Sequence, residues 1–154
     1  MSFDLVFFGG TGDLTWRKLM PALFQAFRHG KLPADGRILA VARDEQTDEQ
    51  YRAWLKERFQ DVEGAKRPTD EEFARFAEVL HYRRMDLSQP EHYARLKEWL
   101  GQRSADTVVL YLATSPYLFP QICAQLGVAG LNDPHIRVVL EKPLGHDLAS
   151  AQEI

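Results

Sequence analysis

Five short apolar runs, each followed by residues at helical spacing or by a turn, constrain this chain more than any other feature. They are Leu5–Phe8, Arg37–Ala42, the weaker His81–Met85, Thr107–Ala113 and Ile136–Leu140. The stronger runs are continuous rather than alternating. Strands that must be apolar on both sides are those of a parallel sheet covered on both faces. Between them the period changes to that of a helix. Leu19, Ala22, Leu23, Ala26 and Phe27 form one stripe, and Pro21 predicts a kink or a fresh helix start with the proline in its first turn. Thr47-x-x-Gln50 and Thr69-x-x-Glu72 read as capping boxes, ahead of the stripes Tyr51, Trp54, Leu55, Arg58, Phe59 and Phe73, Phe76, Ala77, Leu80. Ser88-x-x-Glu91 reads as another, before Tyr93, Leu96, Trp99 and Leu100, and Ser115-Pro116 opens a helix through Ile122, Leu126 and Val128. Strand and helix in alternation predict an α/β fold, a doubly wound parallel sheet with helices on both faces. The extra helix between the second and third strands reads as an insertion.

With 154 residues and 45% hydrophobic content, the chain suits one domain, 1–154, with a substantial core. A net charge of -3 argues against nucleic acid or an anionic membrane as partner. No apolar run approaches membrane length and Met1–Asp4 has no basic leader character, so a cytoplasmic setting is expected. Cys123, the single cysteine, sits in an apolar helical context and is expected in the core. Asp44, Glu45, Asp48 and Glu49 read as a solvated stretch, as do Asp70, Glu71 and Arg75. From Asp147 the chain reads as the opening of a helix that nothing ends, which predicts a fragment of a longer protein.

Ligands of such sheets gather at the carboxyl ends of the strands, so the polar residues there carry the chemistry. After the first strand comes Gly9-Gly10-Thr11-Gly12-Asp13-Leu14. Strand, glycine turn and helix together make a dinucleotide site, where the backbone approaches a pyrophosphate and a helix amino end faces its charge. The glycine pattern is incomplete, with Thr15 in the third glycine's place. Arg43 follows the second strand, where a carboxylate would hold a ribose hydroxyl and an arginine suits a 2′-phosphate. It lies 31 residues beyond Gly12, further than the usual ~20. Glu141-Lys142-Pro143 ends the fifth strand and would place an ammonium at the mouth of the site. His29, His81, His92, His135 and His146 are dispersed and read as surface or packing residues, with His146 alone near the presumed site. There is no G-x-S-x-G, C-x-x-C or H-E-x-x-H, and no metal site is expected.

Taken together, these positions resemble glucose-6-phosphate dehydrogenases. The resemblance rests on Gly9-Gly10-Thr11-Gly12-Asp13-Leu14 with Lys18, on Ala42-Arg43, on Tyr111-Leu112-Ala113 with Pro116, and on Glu141-Lys142-Pro143-Leu144-Gly145-His146-Asp147. The last is the most specific. The resemblance implies a Rossmann-like domain that binds NADP, with NAD as the alternative cofactor, and oxidation of glucose 6-phosphate to 6-phosphogluconolactone in the pentose phosphate pathway. It implies that Gly9, Gly10, Thr11, Gly12, Asp13, Leu14, Thr15 and Trp16 line the pyrophosphate turn and that Arg43 holds the 2′-phosphate. Asp86 and Leu87 would border the adenine, Tyr111 and Ala113 would lie along the cofactor, Lys142 would touch nicotinamide and sugar, and Lys18 would lie near the substrate phosphate. Thr15-Trp16 departs from the alanine-lysine pair common in that motif, although Arg17 and Lys18 restore positive charge nearby. The resemblance also implies a homo-oligomer for the full-length enzyme, and a general-base histidine in a downstream substrate domain absent from these residues. The chain by itself is therefore expected to turn over little or no substrate. Two rivals remain: an oxidoreductase domain of the Gfo/Idh/MocA type, and a module that senses NADP without chemistry.

Overall fold

The computed structural model describes residues 2–12, 15–31, 35–60, 68–102, 106–131 and 133–140. Strand β1 (Ser2–Phe8) leads through the glycine turn and a π-helical turn (Thr15–Leu19) into helix α1 (Met20–Arg28). There follow β2 (Asp35–Ala42), α2 (Asp48–Phe59), α3 (Asp70–Ala77), β3 (Leu80–Arg84), α4 (Pro90–Leu100) and β4 (Thr107–Leu112). A 3₁₀ turn (Pro116–Leu118), α5 (Phe119–Val128) and β5 (Ile136–Leu140) complete the described order. The five strands are parallel in the order β3-β2-β1-β4-β5, so the direction of winding reverses between β1 and β4.

The continuous apolar runs are divided between two cores. Val6, Phe8, Leu39, Val41, Val108, Leu110 and Leu112 face α4 and α5, where Tyr93, Leu96, Trp99, Phe119, Ile122 and Leu126 meet them. The intervening Phe7, Ile38, Ala40, Leu80 and Tyr82 face α1, α2 and α3, against Met20, Phe24, Tyr51, Leu55, Phe59, Phe73 and Phe76. This is the period-2 partition of a sheet buried on both sides. It matches the predicted fold class.

The amino end of the sheet holds a buried ion pair. Asp4 and Arg37 are register partners on β1 and β2, and the guanidinium grips the fully buried carboxylate through bonds of 2.8 and 2.7 Å. The same guanidinium lies 3.8 Å over the Trp99 ring, so burial of the charge is offset by a bidentate bond and a cation–π contact. At the sheet's β3 edge, Asp48 accepts from Tyr82 N at 2.8 Å and pairs with Arg83 at 3.1 Å, while Arg52 donates to Leu80 O. Charged side chains thus occupy main-chain groups that an edge strand would otherwise present.

The capping boxes at Thr47 and Thr69 form as predicted, each with reciprocal bonds to Gln50 or Glu72. Ser88 does not cap α4. Gln89 stands at the cap and Pro90 in the first turn, because both the Ser88 amide and hydroxyl donate to the Asp86 carboxylate instead. The α1 stripe is centred on Met20 and Phe24, with Leu19, Leu23 and Phe27 beside them and Ala22 exposed. Pro21 sits in the first turn of α1, and the π-helical winding before it accommodates a position that has no N–H to return to Arg17. Cys123 is exposed, contrary to expectation: Phe119, Ile122 and Leu126 set the buried face of α5 and leave it outside. Asp48 departs from the solvated stretch too. Burial pushes its carboxyl up, but bonds from Tyr82 and His81 and the nearby Arg83 charge outweigh that and hold it below the usual range.

Candidate functional site

Beyond Phe8 the chain turns at Gly9 with φ +90°, in the left-handed region that favours glycine. The Gly9 and Gly10 amides both donate to Val41 O, at 3.0 and 2.9 Å, which pins the turn to the end of β2. A side chain at Gly10 could not be accommodated, since its Cβ would fall 2.5 Å from that of Ala40. Gly12 N and the Thr15 hydroxyl both donate to Gly9 O, at 3.0 and 2.9 Å. Trp16 N returns to Gly12 O at 3.3 Å, which ties the π-helical turn to the glycine turn before it. From the other side, Tyr51 of α2 donates its buried hydroxyl to Gly10 O at 2.7 Å, and burial raises that phenol above its ordinary range.

The turn borders a cleft of about 430 Å³ at the carboxyl ends of β1, β2, β3 and β4. That is where the winding reverses, and it is the crevice in which open α/β sheets bind ligands. Gly9, Thr11 and Gly12 form one wall; Val41, Ala42, Arg43 and Asp44 the second; Met85 and Leu87 the third; and Ala113, Thr114 and Leu118 the fourth. Apolar groups of Val41, Ala42, Met85, Leu87, Ala113 and Leu118 therefore face one another, and among the described lining residues the charged side chains are those of Arg43 and Asp44. Among the described residues no carboxylate pairs with the Arg43 guanidinium. Within Gly9–Gly12 the amides of Gly9 and Gly10 are engaged by Val41 O and that of Gly12 by Gly9 O, while Thr11 lines the cleft.

The structure brings together Gly9, Thr11, Gly12, Arg43, Leu87 and Ala113 of the sequence-predicted residues. Gly10 lies under the turn. Thr15 is fully buried and staples the loop through its hydroxyl, so the residue in the third glycine's place supports the turn from below. Trp16 packs toward the α1–α3 core beneath the guanidinium groups of Arg17 and Arg58. Lys18 is exposed in the π-helical turn. Tyr111 packs on Phe7, with ring centroids 5.5 Å apart, toward the α1–α3 layer and away from the cleft. Asp86 does not line the cleft either. Hydrogen bonds from Ser88 hold its carboxyl below the usual range, with the Arg43 charge a lesser cause, and its amide donates to His92 Nδ1 at 2.8 Å. Asp13, Leu14, Glu141, Lys142, Pro143 and His146 lie outside the described residues.

Sequence reasoning missed Met85, Thr114 and Leu118. The rule that strand ends carry the site points to the first two, which adjoin the ends of β3 and β4; Leu118 has no local signal. Tyr51 was legible only as a core aromatic. Among the described residues no three His, Cys, Asp or Glu side chains converge as metal ligands, and no helix is long and apolar enough to cross a membrane.

The profile of one family, described as the NAD binding domain of glucose-6-phosphate dehydrogenase, matches residues 6–154. This chain belongs to the glucose-6-phosphate dehydrogenase family. The glucose-6-phosphate 1-dehydrogenase of Mycolicibacterium smegmatis is 41% identical over 98% of this chain and 31% of its own length. That of Gluconobacter oxydans is 41% identical over 99% of this chain and 32% of its own. The crystal structure of the Mycobacterium avium glucose-6-phosphate 1-dehydrogenase superposes with a TM-score of 0.82 at 33% identity, covering 99% of this chain and 32% of that one. A glucose-6-phosphate dehydrogenase in complex with glucose 6-phosphate gives 0.78 at 31% identity, covering 98% and 32%. The chain thus spans about a third of the length of the family members it matches. Family membership identifies the parallel sheet as a dinucleotide-binding domain, and the glycine turn sits in its crevice.

Proposed function

We propose that this chain forms the NADP site of an enzyme that oxidises glucose 6-phosphate to 6-phosphogluconolactone. The observation that carries the reading is Arg43: a guanidinium without an ion-pair partner among the described residues, at the rim of a cleft walled by the glycine turn. In this reading Arg43 holds the adenosine 2′-phosphate, and Thr11 with the rest of the glycine turn receives the pyrophosphate. Met85 and Leu87 supply an apolar surface for the adenine, and Ala113 and Thr114 line the path toward the nicotinamide. Lys142 contacts the nicotinamide and the sugar, while Lys18 adds positive charge for the substrate phosphate.

NADP held by these residues would supply the hydride acceptor for C1 of the sugar. The residues of this chain bind and orient; the proton of the C1 hydroxyl needs a base within hydrogen-bond reach. Among the described residues no histidine lines the cleft, which supports the reading that the base belongs to another part of the intact protein. Titration calorimetry of the intact protein with NADP and NAD tests the cofactor assignment. Tighter NADP binding, with that preference lost in Arg43→Met, is the expected result; equal affinities unaltered by the substitution would overturn it. For the activity, NADPH absorbance should rise when the intact protein meets glucose 6-phosphate and NADP, and remain near background with the 154-residue chain alone.

A further inference from the structure

Arg43 has a neighbour that sequence reasoning left unassigned. β2 and β3 run parallel with Ala42 beside Arg84, so the two strands finish together and deliver Arg43 and Arg84 to the same lip of the sheet. Arg84 Nε donates to the main-chain oxygen of Arg43 at 3.0 Å. The bond uses one of the five N–H groups of a guanidinium and anchors its planar end against the residue at the cleft rim. Among the described residues neither arginine side chain has a carboxylate within 4.0 Å. The Asp86 carboxylate, which the Arg43 charge influences, is held by Ser88. Arg84 also borders a smaller cleft of about 70 Å³ that shares Val41 and Met85 with the larger one, so the two spaces adjoin. Two guanidinium groups presented at one lip, with the exposed Asp44 carboxylate beside Arg43 unpaired with either among the described residues, suit an anion that can bond to both. A phosphate monoester, with about -1.5 to -2 charges and three acceptor oxygens, answers both guanidinium groups.

We propose that Arg84 is a second cation for the adenosine 2′-phosphate, shared with Arg43, and that it sharpens the preference for the phosphorylated dinucleotide. The proposal rests on the reading of the cleft as an NADP site and adds a specificity residue to it. The test is calorimetric titration of the intact protein and its Arg84→Met, Arg84→Lys and Arg43→Met variants with NADP and NAD. Arg84→Met should weaken NADP binding about tenfold while NAD binding changes by less than about twofold, the latter also reporting that the cleft is folded. Arg84→Lys, which keeps the charge without the Nε bond, should recover most of the lost NADP affinity. Equal losses for both cofactors, no loss for either, or an Arg84→Lys variant as weak as Arg84→Met would overturn the second-cation role. If that happens while Arg43→Met still lowers NADP affinity selectively, only the part given to Arg84 is lost; if Arg43→Met is silent too, the NADP reading falls with it.

Discussion

The two ends of the sheet treat arginine in opposite ways. At the amino end, Arg37 is closed on the buried Asp4 carboxylate and capped by Trp99. At the carboxyl end, Arg43 and Arg84 stand exposed at the strand ends, without an ion pair among the described residues. The side chain is the same and the strands are continuous, so the difference lies in what surrounds the charge. One end uses it for cohesion. The other keeps it available, which is how a rigid scaffold presents a binding function.

Substitutions at the two ends should separate stability from affinity. The largest effect is expected from Arg37→Met, which leaves a buried carboxylate without its bidentate partner and should lower unfolding free energy by about 3–5 kcal/mol in denaturant titrations. Its ratio of NADP to NAD affinity should not move. Arg43→Met should do the converse, with a loss of about 1.5–3 kcal/mol in NADP binding and little change in the unfolding midpoint. If Arg43→Met unfolds the protein while Arg37→Met alters cofactor choice, the contrast between the ends is wrong.

Much of this contrast is legible in the sequence, though unevenly. The two-sided strands and the Thr47 and Thr69 caps follow from patterns within a few residues, and the glycine turn with Arg43 follows from position at strand ends. The Asp4–Arg37 pair was not legible, because 33 residues separate its members and only the register of β1 on β2 joins them. Cys123 was misplaced because an apolar neighbourhood in sequence does not reveal which side of α5 meets the sheet. Ser88 misled for a related reason: its hydroxyl had two acceptable uses, and the Asp86 carboxylate two residues earlier took it. Tyr51 read as one aromatic in a stripe, yet its hydroxyl reaches the glycine turn across 41 positions.

Tyr51 offers a finer test, since it lies between the two regimes. Tyr51→Phe leaves the ring stacked against Tyr82 and removes only the bond to Gly10 O. The expected cost is about 1–2 kcal/mol of stability, with a smaller fall in affinity for both dinucleotides alike. A selective loss of NADP binding would place the turn, rather than the arginines, in control of cofactor choice. The smallest effect concerns acid. Arg28 donates to Glu72 through two bonds of 2.7 Å and holds its carboxyl down at about 2, with the Thr69 amide assisting. A carboxylate with a depressed folded-state value stabilises the protein above its unfolded value near 4.3 and loses that contribution as pH falls toward about 2. Glu72→Gln should therefore flatten the acid limb of the unfolding curve between those values and leave cofactor binding at neutral pH unchanged. A variant with an unaltered acid limb would show that the Arg28–Glu72 clamp adds nothing measurable.

A single carbonyl, that of Val41, receives both amides that begin the glycine turn, and two residues further on, just past the end of β2, stands Arg43. The grips proposed for the two ends of the adenosine moiety therefore hang from one hinge pin. Their spacing is set when the sheet folds, and an arriving dinucleotide has no need to bring them into line. A substitution that shifted the tip of β2 would move both grips together, weakening the hold on every dinucleotide before it changed the choice among them.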